Sequence, residues 1–183
     1  SRSVRLLALT DHDELAGLAP ARARARALGM RFVDGVEISV SQGEDTIHIV
    51  GLGIDPEHGP LVEGLARIRS TRDARARRIA GALEEAGVPD AYAGALAHAG
   101  NPALISRAHF ARYLAGLGYA RDARGVFEHW LVPGKPGYVP HPWASLEEAL
   151  AWIDGSGGVA VLAHPGRYRM DGDAMEALVG RFA

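Results

Sequence analysis

Four side chains of metal-binding type lie within or shortly after short apolar runs of this sequence. They are His12, Glu37, His48 and His164. Their runs span residues 6–9, 32–38, 46–52 and 159–163. A single histidine in an apolar strand is more often a core residue than a ligand. Four such runs in a chain with eight histidines favour one shared metal centre. Imidazole with carboxylate suits manganese, iron or zinc, whereas an all-oxygen set would indicate magnesium or calcium.

Two carboxylates flank the first of these histidines. Asp11 and Asp13 stand on either side of His12, and one of them could orient a ligand imidazole by accepting its second N–H. An aspartate is also a common helix cap, and for Asp13 we favour capping of a helix that starts near Glu14.

Composition narrows the possible functions. The 183 residues make one ordinary domain, and the absence of cysteine restricts metal ligands to nitrogen and oxygen. The sequence contains no apolar stretch of roughly 18 residues and no secretory signal, so we expect a cytoplasmic protein without membrane association. A net charge of −2 argues against binding of duplex DNA but permits a basic pocket for one phosphate.

The periodicity of the chain predicts strands alternating with helices around a helical middle. Strands are predicted at 5–10, 31–38, 46–52 and 159–163, with the first strand buried and a hairpin turn at 41–45. Helices are predicted at 14–28, 61–86, 91–99, 106–117, 120–131, 145–154 and 175–182. Ser145 and Glu148 have the spacing of a capping box. The pattern predicts an α/β fold, a piece of a closed or nearly closed barrel with both ends cut.

Several motifs together resemble the polymerase and histidinol phosphatase (PHP) family, in the branch of nucleoside 3',5'-bisphosphate phosphatases and 5'-3' exoribonucleases. The motifs are residues 10–13, 35–39, 47–51, 101–102, 105–112, 133–141 and 163–167. The resemblance implies a distorted (β/α) barrel of PHP type, formed by residues 1–59 and 154–183. Residues 60–153 are then a mostly helical insertion.

The same resemblance implies a set of metal ligands. Glu37 would bridge two metals, His48 would complete one of them, and His12 and His164 would bind another. His109 is carried over as a further ligand, although a helix histidine packed on its neighbours explains it as well. The cofactors implied are divalent ions, manganese first and iron or zinc as alternatives, with two to three in a complete site.

Phosphate recognition requires cations or backbone N–H donors. Arg107 and Arg167 stand close in sequence to predicted ligands, so we expect them to hold the phosphate and, with Glu37 and His12, to form the catalytic set. Asn101, Lys135 and His141 are expected to contact substrate. A turn-forming role for the asparagine and ordinary surface positions for the other side chains remain alternatives.

Three motifs of the family are missing: the opening His-X-His strand, the Ser-Asp-Gly turn and the closing Asp-X-His strand. We therefore expect a piece of a longer protein rather than a degenerate member. The predicted function is hydrolysis of phosphate monoesters or 5'-end phosphodiesters in small nucleotides or short single-stranded RNA. A non-catalytic nucleotide- or metal-binding module and an amidohydrolase-like enzyme acting on C–N bonds are the two alternatives.

Overall fold

The computed structural model describes residues 4–43, 45–168 and 170–182, and the chain divides into two compact units. The first, here called the sheet unit, contains residues 1–68 and 142–183. The second, the helical unit, contains residues 69–141. Each unit has its own buried core, so each is described separately.

The sheet unit is built on a mixed four-stranded sheet within the described residues. Its strands are β1 (Leu6–Leu9), β2 (Arg31–Gln42), β3 (Asp45–Leu52) and β4 (Val159–Leu162), in the order β1-β2-β3-β4. β1 is parallel to β2, and the other two pairs are antiparallel. The predicted α/β class is therefore confirmed, and the described strands form an open sheet. The predicted hairpin joins β2 to β3, although Glu44 of its turn lies outside the described residues.

The prediction that β1 is buried was wrong. Leu6 is 52% exposed and Leu7 is 41% exposed, because β1 is an edge strand of the described sheet and pairs only with β2. β4 is the opposite edge, and Val159 there is 66% exposed. An apolar run shows that a strand can be buried, but only its neighbours decide whether it is.

Seven α-helices form among the described residues. They are α1 (Leu18–Ala27), α2 (Gly59–Glu85), α3 (Ala91–Ala97), α4 (Arg107–Gly116), α5 (Ala123–Trp130), α6 (Leu146–Gly155) and α7 (Gly172–Gly180). Short 3-10 turns occupy Pro102–Leu104 and Pro165–Arg167. The capping box before α6 is confirmed, because Ser145 N donates to Glu148 at 2.8 Å and Glu148 N donates to Ser145 Oγ at 3.1 Å. Every described helix is too short or too polar to cross a lipid bilayer.

The core of the sheet unit lies between the sheet and two helices. Val36, Ile38 and Ile49 are fully buried on β2 and β3. They belong to one cluster with Leu61 from the first turns of α2 and Ile153 from α6. Alternation of buried and half-buried residues along β3 is the period-2 signal that predicts a strand with one covered face. This packing holds rigid the two strands that carry Glu37 and His48.

The helical unit has a core of its own. The later turns of α2 contribute Ile79 and Leu83, and α4 contributes Phe110 and Leu114, all of them fully or almost fully buried. α3 packs on α4, and α4 packs on α5. The loop that follows α5 is bound to this core by Val139, which is 8% exposed.

Candidate metal centre

Backbone pairing places the turn after β1 beside the middle of β2. His12 forms an isolated parallel bridge with Glu37. Asp13 N donates to Glu37 O at 3.0 Å, and Glu37 N donates to Asp11 O at 3.1 Å. The parallel pairing of β1 with β2 therefore extends beyond the strand, and it holds the imidazole next to the carboxylate.

Asp13 has a different role from the one predicted. It does not cap a helix, because α1 begins only at Leu18 with Gly17 as its N-cap. The Asp13 side chain is fully buried, and Ser39 donates to it twice, from N at 2.7 Å and from Oγ at 2.8 Å. Its φ of +52° is in the left-handed region, where a short side chain that bonds locally is tolerated. Asp13 thus fixes the turn that carries His12.

The hairpin brings His48 to the same place. His48 is paired with Ser39, two residues from Glu37 on β2, so the two side chains share one face of the sheet. The neighbouring strand, β4, continues its pairing when Ala163 N donates to His48 O at 3.0 Å. His164 then turns away with a φ of +34° at the start of the 3-10 turn.

Two imidazole nitrogens lie near one oxygen of Glu37, which makes a group of three donor atoms. His164 Nε2 is 3.1 Å from Glu37 Oε1, His48 Nδ1 is 3.8 Å from the same oxygen, and the two nitrogens are 3.3 Å apart. Ligands about 2.1 Å from one ion are about 3.0 Å apart at a right angle and about 3.4 Å apart at a tetrahedral angle. The separations of 3.1 and 3.3 Å match these values, and the separation of 3.8 Å is wider. The three groups form the metal-competent cluster found among the described residues.

The second oxygen of Glu37 faces His12. His12 Nε2 is 3.8 Å from Glu37 Oε2, and the ring of His12 lies 4.6 Å from the ring of His48. The Glu37 side chain is only 17% exposed, whereas that of His12 is 52% exposed. A carboxylate with imidazoles on both oxygens has the arrangement of a bridging ligand. The grouping differs from the implied one, because His164 is beside His48 at Oε1 while His12 is at Oε2.

Tyr168 belongs to this cluster and was missed by sequence reasoning. Its hydroxyl accepts a hydrogen bond from His48 N at 2.9 Å, and its ring lies 5.5 Å from the ring of His164. Burial raises the pKa of Tyr168, and the negative charge of Glu37 raises it further. Its position in the sequence could have indicated this role, because Tyr168 follows the predicted ligand His164 by four residues, at the end of one short turn.

Arg167 is exposed in the 3-10 turn Pro165–Arg167, in the same unit as the cluster. Its backbone N–H donates to His164 O at 3.0 Å. The positive charge of Arg167 acts on Tyr168, whose pKa it lowers against the effect of burial. Its predicted role in holding phosphate remains a prediction, for which this turn gives a suitable location.

The remaining predicted site residues lie in the helical unit. Asn101 accepts a hydrogen bond from Ala103 N at 3.0 Å, which is the turn-forming role left open above. Lys135 is exposed in the loop after α5. His141 Nε2 is 3.0 Å from Thr71 Oγ1. Burial lowers the pKa of His141 to about 4, and nearby arginines add to this effect, so the ring is neutral at physiological pH.

His109 caps its own helix. Ser106 N donates to His109 Nδ1 at 3.0 Å, and burial lowers the pKa of His109. A backbone N–H can only donate, so the proton of the neutral ring is on Nε2. A metal at Nε2 would require the other tautomer and loss of the cap bond to Ser106. The ligand role of His109 stays a prediction.

Arg107, two residues earlier, is half-buried at the start of α4. It donates from Nη1 to Leu131 O at 3.3 Å, and its guanidinium carbon lies 5.9 Å from the centre of the Phe127 ring. Burial lowers the pKa of Arg107 from its ordinary value.

In sequence, this chain is similar to a phosphatase and to an exoribonuclease, although no family model matches it. It is 53% identical over 179 residues to a 3',5'-nucleoside bisphosphate phosphatase of Chromobacterium violaceum, covering 98% of this chain and 63% of the relative. It is 45% identical over 184 residues to the 5'-3' exoribonuclease Rnm of Escherichia coli, covering 98% of this chain and 62% of that protein.

Two solved structures resemble the fold. One is an amidohydrolase from Chromobacterium violaceum with bound sulfate and no metal, with a TM-score of 0.95, 53% identity and coverage of 99% of this chain and 64% of the other. The second, from Bifidobacterium adolescentis, is described as a metal-dependent phosphoesterase, with a TM-score of 0.83, 26% identity and coverage of 97% and 64%. The chain thus spans somewhat less than two thirds of the length of each of these four proteins.

Proposed function

We propose that this chain is the metal-binding part of a phosphoesterase that hydrolyses phosphate monoesters or 5'-end phosphodiesters of nucleotides or short RNA. The observation that carries the proposal is the arrangement around Glu37. One carboxylate oxygen faces His48 and His164, and the other faces His12. Nitrogen and oxygen donors at these separations suit manganese, iron or zinc.

When bound, divalent ions would neutralise the phosphoryl oxygens and lower the pKa of a water molecule. The residues of this chain have separate tasks in that chemistry. Glu37, His12, His48 and His164 hold the ions, and Tyr168 fixes the backbone of His48. Arg167 and Arg107 supply guanidinium groups, whose planar N–H donors match the oxygens of a phosphate.

The proposed substrate is a small nucleotide or a short single-stranded RNA end. The names of the two sequence relatives, a nucleoside bisphosphate phosphatase and an exoribonuclease, support this class of substrate. Duplex DNA is not expected, because the chain as a whole carries a formal charge of −2.

The finer architecture is part of the same proposal. We infer that the four-stranded sheet belongs to a distorted barrel of PHP type, interrupted by an insertion over residues 60–153. Manganese is the ion we favour, and a cytoplasmic location is expected. Both follow from the family resemblance and from the composition described above.

The decisive experiment replaces Glu37. Glu37→Gln keeps the size of the side chain but removes the charge that attracts two ions, so we expect manganese-dependent phosphate release from adenosine 3',5'-bisphosphate to fall by more than about 100-fold. Bound manganese, measured by elemental analysis, should fall in parallel. Glu63→Gln is the matched control, because Glu63 is an exposed glutamate of α2 in the same unit.

Full turnover in Glu37→Gln would contradict the proposal. So would a purified chain that binds no manganese, iron or zinc while it remains folded by circular dichroism. Micromolar nucleotide binding without phosphate release, with metal present, would favour the non-catalytic module instead.

An amidohydrolase-like enzyme is the second candidate, and one observation favours it. The structure with a TM-score of 0.95 to this chain is described as an amidohydrolase. Metal sites at strand ends also serve hydrolysis of C–N bonds. Parallel assays of phosphate release and amide hydrolysis on the same metal-loaded sample would distinguish the two reactions.

A further inference from the structure

A small pocket lies between α1 and β2 in the sheet unit. Its volume is about 270 Å³, and it is lined by Arg22, Arg26, Met30 and Phe32. Pockets for drug-sized ligands have volumes of about 300–1,000 Å³, so this one has room for a single nucleotide unit rather than for a longer chain. None of its four lining side chains has a task in the proposed function.

The walls of the pocket come from neighbouring stretches of the chain. Arg22 and Arg26 are four residues apart, so they lie on the same face of α1. Gly29, whose φ is +68°, ends the helix, and its N–H donates to Arg26 O at 3.0 Å. Met30 N donates to Ala25 O at 2.9 Å. These bonds satisfy carbonyl groups at the end of the helix, which would otherwise repel an anion there.

The pocket is on the opposite face of β2 from Glu37. Phe32, Asp34 and Val36 alternate along the strand and share one face, whereas Glu37 lies on the other face. Phe32 is half-buried and packs against the core of the sheet unit. The core therefore holds its ring in place, and the part of the ring that lines the pocket can contact a ligand.

The two arginines of the pocket differ in their partners. Arg22 donates from Nη2 to Asp34 Oδ1 at 2.7 Å, which orients the guanidinium and balances its charge. The side chain of Arg26 is exposed and has no hydrogen bond or ion pair with another described residue. α1 contains three arginines and no carboxylate, so nothing on the helix balances the charge of Arg26.

We propose that this pocket is a second nucleotide site, separate from the metal centre, which binds one base and its phosphate. The base stacks on the Phe32 ring, which accepts any base, and the Met30 thioether contacts the edge of the base. Arg26 holds the phosphate together with the N–H groups of Arg22 that Asp34 does not use. The inference rests on the proposed function for the choice of a nucleotide among aromatic anions.

Methionine provides a probe that is specific for this pocket. The chain contains three methionines, and Met30 lines the pocket, whereas Met170 and Met175 pack against the core of the sheet unit. The test uses the 183-residue chain with isotope-labelled methionine methyl groups, freed of metal with a chelator. Titration with adenosine 5'-monophosphate, followed by nuclear magnetic resonance, should shift the Met30 signal saturably, because a stacked base changes its magnetic environment. Met30→Leu assigns that signal.

Substitutions distinguish the roles of charge and stacking. Arg26→Gln should weaken binding of adenosine 5'-monophosphate by about tenfold or more, because it removes the unbalanced charge. Arg24→Gln is the matched control, since Arg24 is an exposed arginine of the same helix that does not line the pocket. Affinity should be unchanged in that variant. Phe32→Leu should also weaken binding, because a stacking surface is lost.

The nucleotide could be free or part of an RNA strand, and tetra-adenylate distinguishes the two sources. Affinity equal to that of adenosine 5'-monophosphate would show that the pocket accepts a nucleotide within RNA. Much weaker binding would show that it accepts the free mononucleotide. Both results support the site.

An unshifted Met30 signal at millimolar nucleotide would overturn the proposal. A shift of Met170 instead would also overturn it, because Met170 is two residues from Tyr168 and so reports on the metal centre. Equal loss of affinity in Arg26→Gln and Arg24→Gln would mean that binding follows net charge alone. Arg26→Gln changes an exposed side chain, so it keeps the test valid if Phe32→Leu does not fold.

The second site and the proposed function can fail separately. Glu37→Gln should keep the response of the Met30 signal to nucleotide, because Glu37 is on the other face of β2. Arg26→Gln should keep manganese-dependent phosphate release. Loss of the Met30 response in Glu37→Gln would contradict a site separate from the metal centre.

Discussion

At the scale of single residues, the candidate site depends on one carboxylate, that of Glu37, whose two oxygens face different imidazoles. Glu37 is nearly buried, and its backbone is paired on both sides, so the carboxylate has little freedom. The imidazoles around it differ in exposure, from 52% for His12 to 23% for His48. A preorganised, half-buried donor set binds ions more strongly than the same residues on a flexible loop, because less entropy is lost.

Tyr168 is expected to support this arrangement through the backbone. Tyr168→Phe removes the acceptor for His48 N–H, and a half-buried donor without a partner costs about 1 kcal/mol. We therefore expect lower stability in urea unfolding of the metal-free chain, and weaker manganese binding by about tenfold. Tyr119→Phe, which removes a hydroxyl bonded to Gly87 O in the helical unit, should leave manganese affinity unchanged. Unchanged stability and unchanged metal affinity in Tyr168→Phe would refute the supporting role.

At the scale of elements, α2 contributes buried residues to the cores of both units. Its first turns place Leu61 and Leu65 in the core of the sheet unit, and its later turns place Ile79 and Leu83 in the core of the helical unit. Glycine permits a close contact in the first part, because a Cβ on Gly64 would meet the Trp152 ring of α6 at 2.5 Å. Gly81, on the later part, has no atom within 4 Å of the same position.

Replacement of these two glycines by alanine should therefore change the free energy of unfolding in opposite directions. Gly64→Ala should lower the free energy of unfolding by about 1–3 kcal/mol, because the indole must move in a packed core. Gly81→Ala should raise it by about 0.5–1 kcal/mol, since only the entropy of the unfolded chain changes. Urea unfolding followed by circular dichroism measures both. Equal free energies of unfolding for Gly64→Ala and Gly81→Ala would contradict the close contact between Gly64 of α2 and Trp152 of α6.

At the scale of the whole molecule, the two units carry different chemistry. The acidic remainder of the chain holds the carboxylate and imidazole cluster, and residues 69–141 carry a formal charge of +4. A neutral histidine is expected in this basic unit, because burial and the positive charges of Arg75, Arg78 and Arg72 lower the pKa of His141. The charge pattern has a measurable consequence for stability.

Stability should fall as the pH falls from about 6.5 to about 4. The His141 imidazole has a pKa of about 4 in the folded chain and an ordinary value of 6.5, so the unfolded chain binds the proton first. The contribution of the neutral His141 ring to the free energy of unfolding is thus fully present above pH 6.5 and is lost on acidification. Burial lowers the pKa of His109 too, which adds to the same slope. His141→Gln should reduce the dependence of the unfolding free energy on pH in this window. An unaltered slope, measured by urea unfolding at several pH values, would argue against a neutral, desolvated His141.

The sequence by itself determined the local structure and the types of side chain at the site. Alternating apolar residues predicted β3, the Ser145 and Glu148 spacing predicted the start of α6, and both are confirmed because they depend on near neighbours. The strand runs also predicted that His48 lies near Glu37, since a hairpin fixes its own register.

Only the tertiary structure decided the contacts made across long distances in sequence. The burial of β1 was mispredicted, because exposure depends on strands that pair from elsewhere in the chain. Asp13 binds Ser39, 26 residues away, and Tyr168 binds His48, 120 residues away. No periodicity encodes such pairs, since each arises from the order of strands in the sheet and from turns with left-handed backbone at Asp13 and His164.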